Sequence, residues 1–426
     1  MINKLLYLII VLNILDCLTF GPFNLPFISS ALSILVSFLI LPSLYKNKLV
    51  FKILFPTSII LILSIISNLF EWGKYNYILN DIYPSPYYIY LFLRYVSFLS
   101  FFAIFIIIFR VCNKSNFEKL ANFLITLSFF VSLYAIYLYV GNFLDFPNII
   151  PRNRSGTAGF GSFQSLTFTY GFHRAIGTFR EPSLFAQWLI FPLLLSFSNF
   201  KIKLRNLKKF ILSITFLLTG SLAGILSLFI SLISYFSLEF ILIRRFYFFK
   251  LYKSKLLLAF LFIIFLVFIN QFFDMNYWET LYERIEPLIK YGITSSNRGY
   301  IYSGESIVNP SLFGLGLGNY QILAAEQAGM KTLFSTLSIY ISYFNSFGFF
   351  GFTIFLGILA YPIYMFLKII SNKKNYNKRL IRILMISYIS TLVIASINCE
   401  EISIMISLPY SFLIIYCQYI IRKSHN

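Results

Sequence analysis

What this chain lacks is charge, and acid above all. Only 12% of its 426 residues are charged, with 15 acidic against 35 basic, while 58% are hydrophobic. At a mean hydropathy of +0.78 no water-soluble fold could cover its own surface, so the chain belongs in a bilayer. Histidine is nearly missing, with His173 and His425 alone. Glu279, Glu283 and Glu286 fall at helical spacing without a histidine partner, which reads as a solvated or arginine-paired helix face; no metal and no cofactor is expected. Cys17, Cys112, Cys399 and Cys417 show no metal spacing, and although Cys17 and Cys399 lie near one face, small polarizable filler between helices is the better account. No small-residue cleavage site follows the first apolar run, which leads into another and so reads as a span rather than a cleaved signal. Soluble domains, linkers and internal repeats are missing as well. The net charge of +20 is not gathered on one soluble face, as a nucleic-acid binder would need.

What is present is a series of apolar runs. They lie near 4–20, 25–44, 54–70, 88–109, 120–140, 183–199, 256–273, 346–370, 380–398 and 402–421. The run 210–243 is too long for one span, and Thr219-Gly220-Ser221-Leu222-Ala223-Gly224 is where two shorter helices would meet. Residues 332–345 read as an interfacial helix leading into the span at 346, although a re-entrant pair also fits. The expectation is an all-α polytopic integral membrane protein: a single transmembrane domain over 1–426, about twelve transmembrane helices, and two large extracytoplasmic loops at 141–182 and 274–331.

Lysine sets the orientation. With both termini cytoplasmic, the loops near 45–53, 110–119, 200–209, 244–255 and 368–382 carry most of the lysine, as the positive-inside rule requires. The outer loops hold only Lys74, Lys290 and Lys331 but six arginines: Arg152, Arg154, Arg174, Arg180, Arg284 and Arg298. A guanidinium offers a planar fork that binds phosphate or carboxylate oxygens bidentately, whereas lysine is a point charge. Pairing with outer acids such as Glu181, Glu305 and Glu326 is the plainer alternative for any one of them. Within the spans, Asp16 and Arg94 are candidates to pair with each other or to mark a polar cavity, too few for a proton or ion relay. The 31 tyrosines and 52 phenylalanines suit packing and interfacial belts, with Tyr170, Tyr300, Tyr302 and Tyr320 as candidates to stack on sugars.

Two motifs stand out. Arg174-Ala175-Ile176-Gly177-Thr178-Phe179-Arg180-Glu181-Pro182-Ser183 runs into the sixth span; Pro182 suits a helix start, which puts Arg180 and Glu181 at a helix N-terminus, a ready anion site. In the second loop, Ser296-Asn297-Arg298 and Asn309-Pro310 precede Gly314-Leu315-Gly316-Leu317-Gly318-Asn319. Three alternate glycines allow close backbone approach, and their amides could form an anion-binding concavity, but the context is not a dinucleotide fingerprint.

In this order the motifs, together with the Thr219–Gly224 break and Phe347-Gly348-Phe349-Phe350-Gly351, make the chain resemble the bacterial O-antigen polymerase and O-antigen ligase superfamily over residues 120–370. Ligases of that superfamily carry a histidine at the entrance to the span after the second loop, where this chain has Ser335-Thr336-Leu337-Ser338, so the polymerase branch fits better. Members also place an arginine after the serine of the Thr-Ser break, where Leu222 stands here. The resemblance implies a multi-pass protein of the bacterial cytoplasmic (inner) membrane that joins undecaprenyl-diphosphate-linked oligosaccharide units, with membrane lipid, a flippase and a chain-length regulator as partners and no nucleic acid. Read with it, Arg174, Arg180 and Arg298, then Arg154 and Arg284, are candidates for the diphosphates, because preorganised cations stabilise a leaving anion most in the transition state. Glu181, then Glu305, is the candidate general base. Gly177, Gly314, Gly316 and Gly318 shape the loop backbone. A ligase acting on a lipid or protein acceptor, or a polysaccharide flippase, are the alternatives.

Overall fold

A computed structural model describes residues 2–150, 174–243, 286 and 311–423, apart from positions 21–22, 45, 83–85, 113, 145, 148, 328, 330–332, 334–337, 372–377 and 399–402. The first apolar run is split. Helix α1 (Ile2–Ile14) ends early and a two-stranded hairpin, β1 (Thr19–Phe20) with β2 (Phe23–Asn24), turns the chain into α2 (Leu25–Ile40). Asn24 caps α2 by accepting from Phe27 N at 2.8 Å, and Asn47 caps α3 (Lys48–Phe70) by accepting from Leu49 N at 3.0 Å. There follow α4 (Trp72–Ile82), α5 (Tyr87–Val111), α6 (Lys114–Leu144), α7 (Pro182–Ser196), α8 (Arg205–Leu218) and α9 (Leu222–Ile243). After the second loop come α10 (Asn319–Gln327), α11 (Ile339–Ser371), α12 (Lys378–Asn398) and α13 (Ile404–Lys423).

Seven of the described helices are long and apolar enough to cross a membrane: α2, α3, α5, α6, α11, α12 and α13. Ile2–Ile14, Pro182–Ser196 and Leu222–Tyr235 are shorter apolar helices. The expected span at 256–273 lies outside the described residues. The protein is therefore an all-α polytopic membrane protein in architecture. Phe38, Leu39, Phe55, Ile62, Leu69 and Phe70 stand exposed on α2 and α3, a surface that hydrocarbon covers and water does not.

The break expected at Thr219–Gly224 is a helix reversal. Gly220 adopts φ +54 and donates to Leu217 O, closing α8, while Ser221 Oγ accepts from Gly224 N at 3.2 Å and caps α9. Helix α7, apolar on all sides, is buried almost throughout, and Trp188 Nε1 donates to Ser128 Oγ of α6 at 2.9 Å. Aromatic contacts knit the centre: Phe98 of α5 meets Tyr343 at 5.5 Å and Phe347 at 5.3 Å, and Phe101 meets Tyr410 at 4.9 Å.

Helix α4 was not expected. It is short and polar enough to pass for a loop, but Tyr75, Ile78 and Leu79 bury one face against Tyr87, Tyr90 and Leu91 of α5 and Ile322 and Leu323 of α10, forming a core of their own. Burial pushes the Tyr75 phenol up to about 12, with the Glu71 and Glu326 carboxylates adding to it. The bundle thus has two unlike ends. One gathers cations, with Arg205 Nε donating to Ser196 O at 3.2 Å and Lys208 Nζ to Thr126 Oγ1 at 2.7 Å. The other carries α4, α10 and the two segments described next.

Candidate functional site

At the end of the bundle away from that basic cluster, residues 174–181 form a strap across three helix termini. Arg174 Nε donates to Thr219 O at 2.8 Å and Ala175 N to Leu218 O at 2.8 Å, so a cation and an amide meet the orphan carbonyls that end α8. Gly177 then turns the chain at φ +54, in a space so close to Val131, Ala135 and Phe185 that a side chain would crowd all three. Beyond the turn, Thr178 Oγ1 donates to Ile14 O at 2.6 Å and Thr178 O accepts from Cys17 N at 2.9 Å, tying the strap to the end of α1. Ala175, Ile176, Thr178 and Phe179 are buried.

Arg180 and Glu181 lie where α7 begins, as the proline motif indicated. Glu181 is the extended residue before the helix, makes no side-chain cap, and accepts from Ser183 Oγ at 3.3 Å. The partner of Arg180 is Asp16: Arg180 N donates to Asp16 Oδ2 at 3.2 Å and Arg180 Nε lies 3.5 Å from the same oxygen, an ion pair short of hydrogen-bond geometry. Asp16 therefore serves the strap, and Arg94, the other intramembrane charge, lies over the Tyr90 ring with its guanidinium 4.9 Å from the centroid. Asp16 is deeply buried and the Arg180 side chain is 33% exposed, so the guanidinium reaches the surface while its root is anchored. Asp16 thus meets Arg180 at both its backbone amide and Nε.

The second segment, 311–319, enters the bundle rather than resting on it. Helix α11 is broken at Gly348, whose φ of +64 and ψ of −174 are not helical. In an unbroken helix Phe349 N and Phe350 N would donate to Asn345 O and Ser346 O. Here they donate to Ser311 O and Leu312 O at 3.1 Å each, while Asn345 O and Ser346 O accept from Leu315 N and Gly316 N at 2.9 Å each. The segment is spliced into the gap, so every one of these backbone groups finds a partner within the protein, as non-helical backbone among membrane helices must. The break falls beside residue 346, where the sequence placed the start of the span.

A buried polar network fixes the other side of the splice. Ser64 Oγ accepts from Leu317 N at 2.9 Å and lies 2.9 Å from Tyr95 Oη. Asn68 Nδ2 donates to Tyr95 Oη, and Asn68 Oδ1 accepts from Asn319 Nδ2 at 2.9 Å. Tyr90 Oη donates to Gly318 O at 2.8 Å and Tyr87 Oη to Asn319 Oδ1 at 2.6 Å. Gly314, Gly316 and Gly318 all have positive φ, and a side chain on them would strike Gly348, Asn68 and Tyr90 respectively. The close approach expected of these glycines is made to the chain's own backbone at Gly314 and to the Asn68 and Tyr90 side chains at Gly316 and Gly318, and the amides of Gly314 and Gly316 donate to Ser311 Oγ and Ser346 O rather than standing ready for an anion.

The structure thus brings Arg174, Gly177, Arg180 and Glu181 into one strap and places Gly314, Gly316 and Gly318 in another. Arg152, Arg154, Arg284, Arg298 and Glu305 lie outside the described residues. Sequence reasoning missed Asp16 as the partner of Arg180 and missed the Asn68–Asn319 network; the available signal was a lone asparagine in the apolar run of α3 and another directly after the glycines. No protein-family model, curated protein or solved structure matches the chain.

Proposed function

We propose that this protein is a membrane glycosyltransferase of the polymerase kind, which joins oligosaccharide units carried on undecaprenyl diphosphate at the outer face of a bacterial cytoplasmic membrane. The observation that carries this reading is the first strap: Arg180 and Glu181 at the start of a buried helix and Arg174 on the end of α8, at the end of the bundle away from the basic cluster.

In the reaction a hydroxyl of one carrier-linked unit attacks the anomeric carbon of the chain on a second carrier. The bond from that carbon to the diphosphate breaks, and undecaprenyl diphosphate leaves with the electron pair. Arg180, steadied through Nε by Asp16, presents its forked end to the leaving diphosphate, with Arg174 beside the end of α8 adding a second cation. Glu181 accepts the proton of the attacking hydroxyl. Arg298, Arg154, Arg284 and Glu305 complete the site from the two loops in this reading. The missing histidine at Ser335–Ser338 favours the polymerase over a ligase. Among the described residues, buried hydroxyls such as Thr57, Ser387 and Ser411 donate to carbonyls of their own helix, which supports an enzyme over a flippase.

The test is purified protein in vesicles with a synthetic undecaprenyl-diphosphate oligosaccharide. A ladder of longer lipid-linked glycans is expected, lost in Arg180→Ala and Arg174→Ala. Transfer to a lipid acceptor without a ladder would make the protein a ligase, and transbilayer movement without covalent product would make it a flippase.

A further inference from the structure

Where α7 begins, a buried serine meets the carboxylate that the proposed reaction uses. Ser183 Oγ donates to Glu181 Oε2 at 3.3 Å, and Ser183 is only 7% exposed while Glu181 is partly exposed. We propose that Ser183 is a positioning residue for Glu181: its hydroxyl sets the carboxylate from the protein side, in the place where the proton of the attacking hydroxyl is taken up. The assignment rests on the glycosyltransferase reading and adds to it the group that makes the base act in one geometry.

The first argument is what each side chain does in place of its usual task. Glu181 is the N-cap of α7, with φ −138 and ψ 144, a position whose side chain commonly accepts from the amides of the first turn. It makes no such bond. Pro182 has no amide to offer, and the Glu181 carboxylate accepts from the hydroxyl of the second helical residue. Buried hydroxyls elsewhere in the bundle, Ser29, Ser196 and Ser387 among them, donate to backbone carbonyls, the bond that serine makes most readily within helices. Ser183 donates to a carboxylate.

The second argument is rigidity. A glutamate ahead of a helix can turn about several bonds, so its carboxylate samples many poses unless something holds it. A serine has a single side-chain torsion, and this one stands on a helix whose next residues, Phe185, Ala186 and Gln187, are buried. One hydrogen bond therefore lends the order of α7 to a carboxylate at the surface. The third argument is the proton. A general base must stand within about 2.6–3.2 Å of the group whose proton it removes, and a fixed carboxylate meets that condition where a swinging one does not. As the oxygen of the acceptor bonds to the anomeric carbon and the bond to diphosphate breaks, its proton passes to Glu181, while Ser183 keeps its own. Catalytic hydrogen bonds are often long before substrate arrives and tighten afterwards, which the 3.3 Å separation leaves room for.

The experiment follows ladder formation by the full chain in vesicles with the synthetic undecaprenyl-diphosphate oligosaccharide, resolving kcat from KM. Ser183→Ala should lose about tenfold in kcat with KM within about twofold, and Ser183→Cys, close to the parent in size but a weak donor, should do the same should alanine disturb the helix. Ser183→Thr, which keeps the hydroxyl, should recover most of the rate. Ser196→Ala, which removes a hydroxyl bonded within the same helix, should keep the parental rate. Glu181→Gln alone should cost about a hundredfold or more, and Ser183→Ala added to it less than about twofold further, because the serine acts only through the base. A parental kcat in both Ser183→Ala and Ser183→Cys overturns the positioning role and leaves Glu181 in place. So does a loss that persists undiminished in the Glu181→Gln background, a loss confined to KM, or a folded threonine variant no faster than alanine. Glu181→Gln at the parental rate overturns the base assignment and the positioning role together, and the absence of any ladder from the parent protein overturns both along with the reaction.

Discussion

Residues 174–183 and 311–319 perform one mechanical task with opposite chemistry. Each ends a loop by binding it to helices at the same end of the bundle. The first strap uses charge, through Arg174 on the end of α8 and Arg180 against Asp16, and two of its charged side chains still reach the surface. The second is held mainly by neutral groups, four backbone hydrogen bonds across the break in α11 and the amides and phenols of Asn68, Asn319, Tyr87 and Tyr90. The second shows that an entering segment can be held here by hydrogen bonds between neutral groups. Charge in the first strap is then more than mooring requires, and moving ions out of water into a partly buried pair is costly. The comparison gives anchoring to the glycine segment and, under the proposed reaction, leaves the arginine strap to bind the diphosphate.

The strongest way to break this comparison is Gly316→Ala. The backbone there has φ +87, and an added Cβ would overlap Asn68 Oδ1, so the left-handed strain and the collision act together. A loss of about 3 kcal/mol or more is expected, seen as failure to recover folded protein in detergent. Gly329→Ala, with φ +61 but open space around it, is the control and should cost about 1 kcal/mol. A Gly316→Ala protein as stable as the parent would mean that the splice is not what holds the second segment.

The next effect concerns Asn319, which donates to Asn68 Oδ1 and Leu315 O and accepts from Tyr87. Asn319→Ala leaves buried partners unsatisfied and should cost about 2–3 kcal/mol in denaturant midpoint. Tyr87→Phe removes one bond of the same network and should cost about 1 kcal/mol. If the two variants lose equal amounts, the network does not act through Asn319.

Local features of both segments were legible in the sequence, and their partners were not. Pro182 marks the start of α7, and Thr219–Gly220–Ser221 marks a reversal, because a cap and a left-handed glycine are decided within a few residues. Alternate glycines at 314, 316 and 318 announce close approach for the same reason. What they approach depends on contacts such as Leu317 with Ser64 and Arg180 with Asp16, which are separated by hundreds of residues in sequence or by most of the first half of the chain. Helix α4 was hidden in the same way, since its composition is that of a loop and its apolar face is worth burying only against α5 and the distant α10. The break at Gly348 has a local cause, but its repair by Ser311–Gly316 is visible only in three dimensions.

In the first strap, Asp16→Ala removes the acceptor that holds both Arg180 N and Nε. Because Asp16 is buried and Arg180 only partly so, solvent screens what is lost, and about 1–2 kcal/mol of stability is expected to go, read by thermal unfolding in detergent. Asp16→Asn should recover part of it by still accepting from the amide.

The smallest effect on stability should come with the largest separation between folding and function. Arg180→Lys keeps a cation near Asp16 and leaves the amide bond from residue 180 untouched, so stability should stay within about 0.5 kcal/mol of the parent. It does, however, replace a planar fork by a point charge, and a diphosphate that is held bidentately would lose one of its two bonds. Under the proposed reaction, glycan ladder formation by this variant should fall at least tenfold at unchanged unfolding temperature, with Arg174→Lys behaving alike. A parental rate in both lysine variants would mean that positive charge alone is used and that the guanidinium geometry of the strap serves anchoring after all, which would make the two segments equivalent. A loss of stability comparable with that of Asp16→Ala would make them equivalent by another route, since Arg180 would then be held for structure and not for a ligand.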